Sequence, residues 1–77
     1  MDWRERITID PGIMGGKPVV RGTRVPVQVI MGSLAGGMAE DEICREYGVS
    51  HEDIEAALAH AAEVLADEPV HATVRLS

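Results

Sequence analysis

A chain of 77 residues with a formal net charge of −6 forms one domain and buries only about 60% of the surface its unfolded form exposes. Its apolar share is 45%, but nine of those residues are alanine, with no Phe, one Trp and one Tyr, which makes a thin core that needs a staple, a metal or a partner. A single cysteine excludes an internal disulfide, and Cys44 with three scattered histidines offers no metal-ligand spacing, so no cofactor is expected and a homodimer is.

The chain opens on Ile7-Thr8-Ile9, a short β-branched alternating run, followed by the turn signal Asp10-Pro11-Gly12. Gly15-Gly16-Lys17-Pro18 is a second break, Val19-Val20 can pair back as another strand, and Arg21-Gly22-Thr23-Arg24 turns again. Residues 7–25 therefore read as a small β-ribbon. Pro26 suits the first position of a helix, where its missing N–H costs nothing. Val27, Ile30, Met31 and Leu34 then fall on one helical face, and Gly36-Gly37 ends a helix over about 26–35.

A second helix is expected over about 39–47, with Glu40, Asp41 and Glu42 in the first turn, where the helix dipole favours anions. Ile43 and Tyr47 form its buried stripe, with Cys44 alongside as a small hydrophobe. Gly48-Val49-Ser50 breaks the chain, and Ser50 with Asp53 resembles a capping box. The third helix, about 51–66, carries Ile54, Ala57, Leu58, Ala61, Val64 and Leu65 on one face and ends before Pro69. One domain thus spans 1–68. The tail, 69–77, alternates weakly through Val70, Ala72, Val74 and Leu76. It reads as a strand, as disorder, or as a segment that pairs with another chain's sheet edge.

The fold expected from these elements is mainly α: a three-helix, homeodomain-like or helix-turn-helix core behind a short N-terminal β-ribbon. The charge is split across it. Residues 1–30 carry five basic and three acidic groups, net +2, and residues 31–77 carry two basic and ten acidic groups, net −8. Two unlike surfaces suggest two unlike partners. No apolar leader opens the chain and nowhere do 18 apolar residues run together, so no membrane contact is expected and the cytoplasm is the simplest location.

In a helix-turn-helix reader the N-terminal residues of the second helix meet base edges. Here they are Ser50 and His51, the DNA-contact candidates of this helix, beside the carboxylates of Glu52, Asp53 and Glu55, which repel phosphate. The shape fits a base reader and the charge does not. Lys17, Arg21 and Arg24 on the ribbon turns are the better DNA candidates, since glycines there let backbone approach a phosphate; equally, they could cap turns or pair with the acidic half. Gly12 to Lys17 resembles a P-loop only loosely, one residue short and with Pro18 in place of Ser or Thr. His51 and His60 fall on opposite sides of their helix, and no nucleophile–base pair is readable, so an enzyme is not expected.

The strings Ile9-Asp10-Pro11, Gly16-Lys17-Pro18-Val19, Arg21-Gly22-Thr23-Arg24-Val25-Pro26-Val27 and Glu42-Ile43 with Tyr47 resemble one bacterial family. It is the domain of unknown function 433, regarded as VapB-like antitoxins, and the resemblance covers about residues 5–67. It implies a homeodomain-like core with a β-ribbon, commonly dimeric. It also implies a partner, a PIN-like ribonuclease toxin that the antitoxin neutralises, and, by analogy with other antitoxins, promoter DNA. Ala39 stands at the cap before the second helix, where the family usually has Ser or Thr. A PIN-like nuclease holds metal in a carboxylate cluster within a cationic RNA-binding surface. The acidic helix could occupy that surface while Arg75, the only cation after Arg45, reaches the carboxylates from a tail anchored by Val70 and Val74. The reading on sequence alone is a non-enzymatic antitoxin of a type II toxin-antitoxin system. The rivals are a dimeric interaction module without DNA contact and a stand-alone transcriptional regulator.

Overall fold

The computed structural model describes residues 2–67. In chain order these form a 3-10 turn at Trp3–Glu5, strand β1 (Ile7–Thr8), a second 3-10 turn at Met14–Gly16, strand β2 (Val19–Val20), and helices α1 (Val27–Ala35), α2 (Glu40–Tyr47) and α3 (His51–Ala66). The fold is three helices behind a two-stranded antiparallel sheet, with Ile7 opposite Val20 and Thr8 opposite Val19. The ribbon expected over 7–25 is real but short in its paired part, and Ile9 leaves it, 54% exposed.

What fills the ribbon's remaining length is turn chemistry. Asp10 Oδ1 accepts from the Gly12 amide at 2.8 Å and its carbonyl from Ile13 at 2.9 Å, a turn closed by an Asp side chain. The Thr23 hydroxyl donates to the Val20 carbonyl at 2.7 Å and accepts from the Val25 amide at 2.9 Å, closing the Arg21–Arg24 turn. The chain then returns along β2, through a bridge between Val19 and Pro26.

That bridge moves the start of α1. Pro26 stands at the N-cap with ψ 147°, extended, and Val27 is the first helical residue. The helix expected from 26 begins one residue later because Pro26 is committed to the sheet. Its carbonyl still accepts from the Val29 amide at 3.0 Å. Ala39 likewise lies outside α2 as its N-cap. An alanine side chain accepts nothing, so only half a capping box forms: Glu42 Oε1 takes the Ala39 amide at 2.9 Å. At Ser50 the box is complete. The Asp53 amide donates to Ser50 Oγ at 3.1 Å and the Ser50 amide to Asp53 Oδ2 at 2.9 Å. Gly48, with φ +69° and ψ 34°, supplies the left-handed residue that lets α2 end and α3 begin within three residues.

The core is built on Ile30, Ile43 and Ile54, one from each helix and each 0% exposed, with Ile7 and Val20 from the sheet and Val49 from the turn. On α3 the buried side is Ile54, Ala56, Ala57 and His60. The face expected there ran on through Leu58, Val64 and Leu65, and these are 40%, 48% and 64% exposed. Leu58, between the buried Ala57 and His60, turns off the buried side, and for Val64 and Leu65 the reason is reach: the other helices and the sheet cover the earlier part of α3. Its last turns extend past them.

The N-terminal 3-10 turn docks on the far half of α3. Trp3 meets the His60 ring edge-on at 4.7 Å and donates from Nε1 to Glu63 at 3.2 Å. Arg4 lies over the Trp3 ring at 4.5 Å and pairs with Glu63 at 3.0 Å. Arg6 pairs with Asp53 at 3.1 Å, so the same carboxylate caps α3 and ties it to the front of the chain.

Candidate interaction surfaces

Two surfaces follow from the charge split, and the fold sorts the candidate residues between them. On the ribbon, Lys17 and Arg24 are exposed, and neither makes a side-chain hydrogen bond or ion pair among the described residues. Arg21 is already engaged. Its Nε donates to the Glu5 carbonyl at 3.0 Å and its Nη2 to the Arg4 carbonyl at 2.8 Å, capping the C-terminal end of the first 3-10 turn. One of the three ribbon cations is therefore a structural cap, and two remain available to an anion.

The start of α3 is closed to a ligand from both sides. The Ser50 hydroxyl is spent on the cap. His51 is held between two carboxylates of α2, with Nδ1 3.0 Å from Glu40 and Nε2 2.8 Å from Asp41. Those hydrogen bonds, Glu40's first and Asp41's second, raise the imidazole above its usual pKa of 6.5. When the ring is protonated, both of its nitrogens donate to these acceptor-only carboxylates. Ser50 and His51 do sit where a reading helix would present them, but their polar atoms face their own chain.

The clamp has a second consequence. By bonding Glu40 and Asp41, His51 draws the start of α2 against the start of α3. Glu40, Asp41, Glu42, Glu52 and Glu55 are all exposed there. Two helix N-termini, each carrying a partial positive charge, would ordinarily invite a phosphate. Here their own carboxylates neutralise them. The resulting surface is acidic, and it attracts a cationic partner while repelling a nucleic-acid backbone. Cys44 is half-buried beside it, and burial first, then Asp41 and Glu40, push its thiol pKa up, which disfavours the thiolate.

The clamp also makes folding pH-dependent. His51 is charged more readily folded than unfolded, so its contribution is fully present below its unfolded pKa near 6.5. It is lost as pH rises through the raised folded value. The melting-temperature gap between the wild type and His51→Gln is expected to be widest below pH 6.5 and to narrow as pH rises above it. A gap that stays constant over that range would mean that the clamp carries no charge.

Val70, Val74 and Arg75 lie outside the described residues. Sequence reading missed a third surface, an apolar groove of about 410 Å³ between α1 and the end of α3, walled in part by Met31, Val64 and Leu65. Its signal was present in the exposed end of the α3 stripe, misread as core. Among the described residues no helix is long and apolar enough to cross a membrane, and no three His, Cys, Asp or Glu side chains lie close enough to hold a metal ion.

Comparison with known proteins gives three findings. The profile of the family described as "Protein of unknown function (DUF433)" matches residues 7–61. The crystal structure of a DUF433 member from Anabaena variabilis superposes with a TM-score of 0.71 at 32% sequence identity, covering 75% of this chain and 58% of that one. Protein y4eO of Sinorhizobium fredii is 59% identical over 34 residues, which are 44% of this chain and 15% of that protein. The matched regions are thus only part of both longer relatives.

Proposed function

The chain belongs to the DUF433 family, and on that premise we propose that it is the antitoxin component of a type II toxin-antitoxin pair, which neutralises a PIN-like ribonuclease by protein–protein contact and catalyses nothing itself. The observation that supports this reading is the acidic surface where α2 and α3 begin. A nuclease must present cations to hold RNA, and a protein with carboxylates on two adjoining helix ends competes for that surface by charge complementarity. In this reading Arg75 approaches the nuclease's metal-binding carboxylates, and Val70 and Val74 anchor the tail beside it. On that reading, RNA cleavage by the cognate PIN-like nuclease is expected to stop when the protein reaches a one-to-one ratio. Cleavage undiminished at tenfold excess contradicts the reading.

A second reading, operator binding in the cytoplasm, is favoured by Lys17 and Arg24, which are exposed and unpaired among the described residues. In it the ribbon turns touch the phosphate backbone and α3 does not read bases. Binding of the promoter duplex should weaken as salt rises and weaken further in Lys17→Ala and Arg24→Ala, with Ser50→Ala and His51→Gln leaving it unchanged. A duplex that remains unshifted at 50 mM salt, with and without the nuclease, leaves the protein as an interaction module alone.

A further inference from the structure

We infer that the apolar groove between α1 and the end of α3 is the surface on which two copies of this chain associate. Pro18, Pro26, Val27 and Met31 form one wall, and Val64 and Leu65 form the other. Leu65 is the most exposed large apolar side chain described, at 64%, with Val64 at 48%. Among the described residues, Lys17 is the only permanently charged one on the groove. His60 lies against it, 8% exposed, with Nδ1 buried and without a hydrogen-bond partner among the described residues. A buried polar atom left unpaired costs free energy, and here it borders a cavity that another chain can fill.

Charge selects the occupant. The chain carries −6, so a second copy is repelled wherever acidic faces meet. The starts of α2 and α3 present only carboxylates and a clamped histidine, and Glu63 and Asp2 flank the N-terminal turn. The groove is apolar and its one fixed charge is positive, so it is the face on which two acidic copies approach without that repulsion. It is also self-complementary: it carries a hollow and, on its own wall, the exposed side chain of Leu65 to fill the same hollow of a two-fold mate. An acidic or aliphatic segment of another protein would satisfy the hollow alone. A second copy satisfies both the hollow and the projecting wall, which the other described residues leave exposed.

Size sets the strength. Ten residues line the groove, against about 20–30 a side in a standard stable interface, so the dissociation constant is expected in the micromolar range. Sedimentation equilibrium of the purified full chain from 5 to 300 µM should show the mass rising from 8.3 kDa to twice that value. Leu65→Lys and, independently, Leu65→Glu should raise the dissociation constant at least tenfold. Leu65 is exposed, so neither change disturbs the fold, and far-UV circular dichroism checks this. Leu58→Lys, exposed on the same helix away from the groove, should leave the dimer intact. A mass of 8.3 kDa throughout, a dimer indifferent to both Leu65 changes, or equal dissociation by Leu58→Lys overturns the inference. So does a monomer whose Leu65 becomes protected only when the nuclease is added, which would make the nuclease the occupant. The assay contains no nuclease in its first arm, so its result is independent of the antitoxin reading.

Discussion

Ile54→Ala is expected to remove about 3–4 kcal/mol of folding stability, within the roughly 2–5 kcal/mol that buried Ile or Leu truncations cost. Ile54 is 0% exposed and is the α3 member of the three-isoleucine core. The neighbours that would have to collapse into the space are held elsewhere. Ile30 and Ile43 belong to separate helices, and the backbone of Ile54 lies one residue past Asp53, which is fixed by both the Ser50 cap and Arg6. The cavity should therefore persist, which places the cost in the upper half of that range. Against a total of about 4–11 kcal/mol for a domain of this length, the variant loses a third or more of its stability. A fall in melting temperature of about 15 °C or more is expected. Ile54→Val removes one methyl group and should cost about 1 kcal/mol. Urea unfolding measures both. A loss below 1 kcal/mol for the alanine variant would show that the three isoleucines do not form the shared core.

The same helix shows what periodicity can and cannot deliver. Ile54 and Ala57 are where a 3.6-residue repeat puts a buried face, and the ends of α3, His51 and Ala66, agree with the sequence pattern. Ser50 and Asp53 were legible as a cap because the four residues involved are adjacent. Val64 and Leu65 were misplaced because periodicity says which residues share a side of a helix and nothing about how far the rest of the chain reaches along it. Pro26 was shifted by one because a bridge to Val19, seven residues back, outranks a local preference. Short 3-10 turns such as Trp3–Glu5 give no periodic signal, and the Trp3–His60–Glu63 contact joins residues about 60 apart in sequence.

The candidate site was less legible still, for an electrostatic reason. The sequence supplies a histidine and several carboxylates, but not which of them meet. Glu40 and Asp41 lie eleven and ten residues from His51, and only the left-handed turn at Gly48 brings them to its ring. Likewise, Arg21 and Arg24 have the same chemistry in sequence. The carbonyls of Arg4 and Glu5 make a cap of one and leave the other exposed. The net charge of −6, which by itself argues against any nucleic-acid role, is thus resolved into an acidic face at two helix starts and two available cations on the ribbon.

The acidic face carries the central claim, that the joined helix ends dock on a cationic protein surface and are not a base reader. Glu52 and Glu55, three residues apart on α3, share one side of the helix, and neither forms an ion pair or side-chain hydrogen bond among the described residues. Replacing both with lysine turns two attractive contacts into two repulsive ones. Like charges brought together across an interface cost several kcal/mol in total, and a loss of about 2.7 kcal/mol corresponds to about 100-fold in affinity. The helix itself should survive, losing about 0.3–1 kcal/mol per site from the dipole term, and the doubly glutamine-substituted protein separates loss of attraction from added repulsion.

The most direct test is the concentration of this protein that halves RNA cleavage by the PIN-like nuclease proposed as its partner, compared between the wild type and Glu52→Lys/Glu55→Lys at low and at high salt. The predicted result is a rise of about 100-fold at low salt in the double variant, shrinking as salt screens the charges, with the glutamine pair in between. Equal inhibition by the wild type and the double lysine variant at low salt would contradict the account.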